Sequence, residues 1–288
     1  MSRTGRPCEV CAGDGAPWPL RDGSTLTRCG SCGHVERDLS ACPAHHRSVA
    51  YGGDPGLDRV RLALTLRTLD AVAPVSSGSR VFEIGFGAGA LLRQFADRGC
   101  VVGGCDPDQL GVAVDPVVQR EGQLHATGIE QLVGTIDPVD LVYGVHVIEH
   151  VTDPMAALAA AHDLLRPGGT IALLTPAADS DSLRVFSQAW WLLEDPTHVR
   201  FFSRRSAATA LRRAGFEDVR VRRLATDNLT MEGASVVRLL RPGARERGVL
   251  DTAATRLFAI ALSPLALLVR LVRPRMRPTL LATGRRPA

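Results

Sequence analysis

An α/β fold, in which helices wind both faces of a mostly parallel sheet, is predicted by three features of this sequence. From Arg80 to Leu174 short apolar runs alternate with helical patterns, the signature of strand–helix–strand units. The first run feeds a glycine-rich turn and then a helix. With 288 residues, 45% of them hydrophobic and 22% charged, the chain has the composition of a globular protein with a sizeable core. A small Cys-rich module is expected ahead of this sheet, and an apolar helical insertion before its last strand.

The charge balance removes several function classes. A net charge of +4 over the whole chain argues against nucleic acid as an obligatory partner. All 34 basic residues are Arg, which excludes Schiff-base chemistry, pyridoxal phosphate attachment and a phosphate-loop Lys. Residues 1–8 contain no apolar stretch suited to a secretory signal, so a cytoplasmic location is expected.

Residues 1–45 are rich in Cys, Gly and Pro and have no apolar period of their own, so they need a staple. Cys8-x-x-Cys11 and Cys29-x-x-Cys32 read as two tight turns, each aiming two thiolates at one point, as tetrahedral zinc requires. The turn at Asp22-Gly23, flanked by Leu20 and Leu26, suits the hairpin of a zinc ribbon. Four thiolates leave no open position, so the metal is expected to be structural. His34, Cys42, His45 and His46 fit no regular ligand spacing and read as loop residues. Residues 46–78 follow as linker and helix, with apolar positions at Leu57, Val60, Leu64 and Leu66 to Leu69 ending at Pro74 and Ser76-Ser77-Gly78.

The core is expected over 79–230. Arg80 to Ile84 reads as a strand that enters Gly85-Phe86-Gly87-Ala88-Gly89, where glycines let the backbone turn sharply and approach a ligand. The free N–H groups of the helix from Ala90 to Arg98 favour an anionic group on that ligand. Val101 to Cys105 forms the second strand and ends at Asp106, placed to accept hydrogen bonds from ribose hydroxyls. This is a Rossmann-like arrangement, and Gly85 to Ala90 also satisfies the GxGxx[GA] dinucleotide pattern, which leaves a NAD-dependent oxidoreductase open. Asp140 to Val145 is the next strand. Asp153-Pro154 caps and starts a helix over Met155 to Leu165, Pro167-Gly168-Gly169 stops it, and Thr170 to Leu174 forms the fifth strand.

The series Glu83-x-Gly85-x-Gly87-x-Gly89, Asp106, His146-Val147-Ile148-Glu149-His150-Val151-x-Asp153-Pro154 and Leu164-Leu165-Arg166-Pro167-Gly168-Gly169 resembles class I S-adenosylmethionine (SAM) dependent methyltransferases, in the branch of the ubiquinone-biosynthesis O-methyltransferases. The likeness continues through Thr175-Pro176, Trp190, Pro196-Thr197-His198 and Phe202-Ser203 to Ala214-Gly215-Phe216, roughly residues 50–225. It implies that Gly85, Phe86, Gly87 and Gly89 hold the methionine part of SAM, with Glu83 supporting the loop. It further implies that Asp106 and Pro107 lie at the ribose, Gly128 and Ile129 at the adenine, and Val145 and His146 near the reacting methyl. Phe86 departs from the small residue usual in the family.

SAM carries an activated methyl, so the protein has mainly to align a nucleophile and exclude water; a hydroxyl acceptor also needs a base. His150 is the first candidate, then His198, with Glu149 beside them. A small-molecule acceptor is expected, with a sugar, a phenol or quinone, a natural product and an apolar or lipid-linked molecule all left open. A non-catalytic SAM-binding protein is the remaining alternative. Trp190-Trp191 and Phe201-Phe202 suit either the acceptor pocket or the core.

Residues 231–277 form the insertion, and 278–288 the last strand, expected to pair with Asp218 to Leu224. Leu257 to Val269 is apolar throughout but, interrupted by Pro264, too short to span a membrane. Arg238, Arg241, Arg245, Arg247, Arg273, Arg275 and Arg277 surround it. A lid, a homodimer contact and peripheral attachment to the inner membrane face all fit this pattern.

Overall fold

The computed structural model describes residues 7–38, 55–107, 112–242 and 248–288; Cys42, His45, His46, Arg245 and Arg247 lie outside them. In chain order the elements are β1 (Gly15–Pro19), β2 (Thr25–Cys29), β3 (Val35–Glu36), α1 (Pro55–Asp70), β4 (Arg80–Ile84), α2 (Ala90–Ala96), β5 (Val101–Cys105), α3 (Pro116–Glu121), β6 (Gln123–His125) and β7 (Val139–Val145). They continue as α4 (Pro154–Leu164), β8 (Leu165–Pro176), α5 (Asp181–Phe186), β9 (Arg200–Phe201), α6 (Arg204–Arg213), β10 (Glu217–Leu224), α7 (Met231–Leu240), α8 (Ala253–Val272) and β11 (Thr279–Arg285). The chain divides into two units, each discontinuous in sequence. One comprises Met1–Ala44, Pro176–Ser206 and Arg222–Leu280, the other His45–Thr175, Ala207–Val221 and Leu281–Ala288.

The second unit is organised on the expected sheet, with strand order β10-β11-β8-β7-β4-β5-β6. β4 pairs in parallel with both β5 and β7, β5 with β6, and β7 with β8. Val81, Phe82, Glu83 and Ile84 are all buried, as a central strand covered on both faces requires. The crossovers through α2 and α3 run one way along the sheet and that through α4 runs the other. Right-handed connections therefore place α2 and α3 on one face and α4 on the opposite one. The direction reverses between β4 and β7, so the loops after these strands part and leave a crevice at their C-terminal ends, where open α/β sheets bind ligands.

Local chemistry starts α4 as expected: Asp153 accepts hydrogen bonds from the N–H groups of Met155 (2.9 Å) and Ala156 (3.0 Å), with Pro154 in the first turn. Its end differs. The helix stops at Leu164, and Arg166-Pro167-Gly168-Gly169 belongs to β8 rather than to a turn. Gly168 takes φ +77°, its N–H bonds the Arg286 carbonyl, and the ladder to β7 is irregular between Val139 and Leu141, so the segment acts as a bulge within the strand. Among the described side chains of α1 the buried ones are Thr65, Leu66 and Leu69, whereas Val60, expected on the apolar face, is exposed.

The first unit holds a second sheet, β1-β2-β3-β9. β1 and β2 form the expected hairpin, with Pro19 opposite Thr25. Gly23 at φ +86° turns the chain, and Asp22 accepts from the N–H and hydroxyl of Ser24. β3 extends it and pairs Val35 with Phe201 of β9, far along the sequence. Leu26, Val35, Leu183, Trp190, Phe201 and Met231 form one core cluster. Trp190 and Phe201 thus pack inside the unit, ring centroids 5.4 Å apart, and Trp191 is only partly buried.

The apolar insertion differs from its expected length. α8 is one helix of 20 residues that runs through Pro264, long and apolar enough to cross a membrane. Its N-terminus is closed by Thr252 and Thr255, each side chain bonding the backbone N–H of the other.

Candidate functional site

The glycine-rich loop leaves β4 at the reversal point with Gly85, Gly87 and Gly89 at φ +71°, +51° and +74°, backbone conformations costly to any residue with a Cβ. The glycines differ in surroundings. A Cβ on Gly85 would lie 2.7 Å from Val147 Cγ2, whereas one on Gly87 would meet nothing within 4 Å. Val147 also crowds Gly144, where a Cβ would lie 2.6 Å from its Cγ1. One branched side chain from the loop after β7 thus nests between two glycines and fixes how closely the loops after β4 and β7 approach. Val147 stands in the series from His146 to Pro154 without a role of its own, and Gly144 was not singled out; a glycine near the end of an otherwise apolar strand was the available signal.

Across from the loop, Asp106 at the end of β5 is buried, and its Oδ2 accepts from the Gly87 N–H at 2.9 Å. Pro107 follows it and is exposed. Phe86 is buried with its side chain over β5: a Cβ on Gly104 would lie 3.0 Å from Phe86 Cδ1. Glu83 is buried in β4 and accepts from the Tyr143 hydroxyl at 2.8 Å. Burial pushes the Glu83 carboxyl well above the usual carboxylate range, opposed by that hydrogen bond, and Glu83 braces the strand beneath the loop. Beyond β6, Ile129 is buried in a short 3-10 turn that follows the extended Gly128. The Thr127 hydroxyl donates to the Gly128 carbonyl and ties this turn down.

After β7, Val145 is half-buried and His146 adopts φ +53°, an uncommon conformation for a residue other than glycine. The His146 N–H bonds the Leu174 carbonyl, and its Nδ1 stands 3.3 Å from Glu149 Oε1. Glu149 is fully buried, and its Oε2 accepts from the Thr175 hydroxyl at 3.0 Å. Both carboxylate oxygens therefore face protein groups. His150 is half-buried in the turn that follows, its N–H on the Val147 carbonyl. These residues share one loop of the second unit. His198 belongs to the first unit, where its Nδ1 lies 2.6 Å from the Leu192 carbonyl, so that nitrogen donates.

The four N-terminal thiols converge as their spacing predicts. Their sulfurs all lie within 4.8 Å of one another, with Cys8–Cys32 at 3.7 Å and Cys11–Cys29 at 3.5 Å. A tetrahedral ion with metal–sulfur bonds of about 2.3 Å sets sulfur atoms about 3.8 Å apart, so the donor set is of the right size. Burial pushes the Cys8 thiol up to about 12 and raises Cys32. At Cys29, burial is outweighed by the N–H groups of Cys32 and Ser31, which bring it down to about 7. Beside this cluster His34, which the spacing suggested was a loop residue, is buried. Its Nε2 lies 2.9 Å from Glu9 Oε1, and Glu9 also receives the guanidinium of Arg200 at 2.7 Å. His34 lies in the loop before β3, as expected, and is a buried structural post there.

With this geometry in place, comparison with known proteins assigns the family. The family described as Methyltransferase domain matches residues 57–221. A ubiquinone biosynthesis O-methyltransferase of Cereibacter sphaeroides is 30% identical over 164 residues, 53% of this chain and 66% of that protein. Its counterpart from Ruegeria pomeroyi is 35% identical over 97 residues, 32% of this chain and 39% of that protein. The chain thus spans between about two-fifths and two-thirds of the length of these curated relatives. Among solved structures, a chain of the complex between the Haloferax volcanii Trm112 methyltransferase activator and a methyltransferase superposes with a TM-score of 0.53 at 20% identity, covering 81% of this chain and 95% of that one. A Haemonchus contortus phosphoethanolamine N-methyltransferase 2 bound to SAM gives 0.53 at 16% identity, covering 78% of this chain and 53% of that one. These two share the fold. Since the matched region takes in more than half of its residues, the chain belongs to the methyltransferase-domain family.

Proposed function

We propose that the protein is a SAM-dependent methyltransferase acting at oxygen on a small acceptor, with a structural zinc in its four-cysteine module. The observation that carries the cofactor reading is the open side of the loop at Gly87, at the C-terminal end of β4 and bonded to Asp106. In this reading Gly85, Gly87 and Gly89 cradle the methionine part and Asp106 takes the ribose hydroxyls. Gly128 and Ile129 flank the adenine, and Val145 and His146 lie toward the sulfonium. Glu83 and Phe86 act from beneath, as buried supports. The nicotinamide alternative has no support in the family match, whose members' named chemistry is methyl transfer.

Zinc suits the thiol cluster because the donors are all sulfur, tetrahedrally spaced and largely buried. Cys8, Cys11, Cys29 and Cys32 would hold it, supplying fold stability and no reactive water.

SAM supplies the activated methyl; this chain's residues align the acceptor and receive its proton. His150 is the preferred base. Glu149, with Oε2 on the Thr175 hydroxyl and Oε1 3.3 Å from His146 Nδ1, stands beside the two histidines of this loop as the acidic candidate. His198, whose Nδ1 donates to the Leu192 carbonyl and is fixed by it, is the second candidate. Quinone or phenol acceptors are favoured by the named relatives, and a cytoplasmic setting follows for chemistry that draws on soluble SAM.

Calorimetric titration of the zinc-replete protein with S-adenosylhomocysteine, with NADH in parallel, tests the reading. Micromolar binding of S-adenosylhomocysteine alone, lost in Gly87→Ala, is expected; binding of NADH instead, or of neither, overturns it.

A further inference from the structure

The first unit presents an apolar surface that its own fold leaves uncovered. Leu257, Leu265, Leu268, Leu271 and Val272 of α8 are each 57–69% exposed, Phe258 is 41% exposed, and Leu239 and Leu240 at the end of α7 are also exposed. These α8 positions recur at helical spacing, with Ala254, Ala261 and Pro264 exposed between them, so one face is apolar from end to end. At about 1.5 Å per residue the stripe is about 30 Å long. Isolated exposed leucines are unremarkable, but a continuous stripe of this length marks a docking surface.

The opposite face is fastened to the unit. Arg270 is fully buried and every N–H of its guanidinium is used: Nε and Nη2 on the Glu232 carboxylate at 2.8 and 2.6 Å, and further bonds to the carbonyls of Ala225, Asp227 and Asn228. Gly233 of α7 approaches so closely that a Cβ there would lie 2.5 Å from Ala259 Cα. Crossing a bilayer would require α8 to leave α7 and to drag this satisfied guanidinium into hydrocarbon, so its length does not make it a span. Its C-terminal end is cationic: Arg273 and Arg275, both exposed, follow the last turn, Arg275 with Asp181 at 3.6 Å, while Arg256 in the first turn bonds the carbonyls of Leu250 and Asp251. No acidic residue interrupts residues 253–272. An apolar stripe flanked by arginines is complementary to an anionic lipid surface.

We propose that the exposed face of α8 docks the protein in the plane of an anionic bilayer, as a peripheral anchor that does not span. The inference rests on the first unit alone and does not depend on the methyltransferase reading.

The test is cosedimentation of the full chain with vesicles of phosphatidylcholine, with and without phosphatidylglycerol. Binding to the anionic vesicles is expected, weaker by about thirtyfold for Arg273→Gln/Arg275→Gln. Leu265→Glu/Leu268→Glu should reduce binding at least tenfold while its melting temperature stays at the wild-type value, because both side chains are exposed. Equal sedimentation of this variant and wild type, or resistance of bound protein to alkaline carbonate, overturns the proposal. So does a concentration-dependent dimer that the same double variant dissolves without any vesicle binding, since a second copy would then be the occupant.

Discussion

Gly85 and Gly87 look equivalent in the sequence, yet the structure separates their roles, and alanine at each should give opposite signatures. Both have positive φ, so each substitution costs about 1–2 kcal/mol of backbone strain. Only at Gly85 does the new methyl also enter the packing, 2.7 Å from Val147 Cγ2 and 3.1 Å from its Cβ. A β-branched side chain has little rotamer freedom with which to yield, so overpacking adds about 1–3 kcal/mol. Gly85→Ala should therefore destabilise the second unit by about 2–5 kcal/mol, a fall in melting temperature of about 5–15 °C for a unit of this size, against a few degrees for Gly87→Ala. Affinity should order the other way. The Gly87 methyl projects into the open side of the loop and should weaken S-adenosylhomocysteine at least tenfold, whereas Gly85→Ala loses stability more than affinity. Val147→Ala added to Gly85→Ala should recover about 1–3 kcal/mol relative to the sum of the single changes, the coupling expected of residues in contact. Differential scanning fluorimetry and calorimetric titration of the four proteins read both quantities. Strict additivity of the pair, or unaltered binding by Gly87→Ala, would refute this account of the loop.

Glu83 makes the stability of the second unit pH-dependent in a defined direction. Because burial raises its folded value, the native state keeps a proton that the unfolded chain releases above about 4.5, so stability falls by up to about 1.4 kcal/mol per pH unit as pH rises through that window. Glu83→Gln should gain on wild type in melting temperature from pH 4.5 toward neutrality, and a constant offset would contradict the assignment. For the thiol cluster, metal analysis should find one zinc per chain, and chelation or Cys29→Ser should lower the melting temperature while releasing it; an unchanged melting curve would rule out a staple. Arg270→Met leaves the Glu232 carboxylate and three carbonyls without their donor and should cost about 3–5 kcal/mol in urea unfolding, with Arg270→Lys recovering only part.

What could be read from the sequence was local. β4 and β5 occupy the expected residues because each is a short apolar run ended by a glycine turn or an Asp, and the hairpin around Asp22-Gly23 follows from turn chemistry. The pairing of β3 with β9 was hidden, since two residues at each side carry no period and the partner strand is remote in sequence. The same distance conceals the role of His34, whose burial depends on Glu9 and Arg200 together. Pro264 counted against a spanning helix because a missing N–H and the clash with the preceding turn normally end one. Tertiary contacts on both sides of it, Gly233 against Ala259 and Arg270 on Glu232, hold α8 continuous. At the site, the glycines and Asp106 could be identified by position. The Glu149–Thr175 bond and the wedge of Val147 could not, because each joins elements that meet only once the sheet has formed.

The absence of lysine, first useful for what it excludes, also bears on how the first unit is assembled from three separate stretches of chain. Arginines tie these stretches together, largely through carbonyls. Arg37 reaches the carbonyls of Leu193 and Asp195, Arg21 those of Arg184 and Val185, and Arg238 that of Trp190, while Arg200 holds Glu9. Each bond joins residues from different stretches; Arg21 spans two adjacent carbonyls with both arms of one planar fork, and Arg37 reaches its two carbonyls from a single Nη2. An ammonium is a single strongly hydrated point charge and cannot bridge paired acceptors in this way without losing more of its hydration. A unit whose segments are remote in sequence gains little from local helices or hairpins, so its unity depends on groups that satisfy several acceptors at once. The buried Arg200 and Arg270, each on a carboxylate, are the extreme cases: Arg200 ties the first stretch to the second through Glu9, and Arg270 locks the third stretch onto itself through Glu232 and three carbonyls.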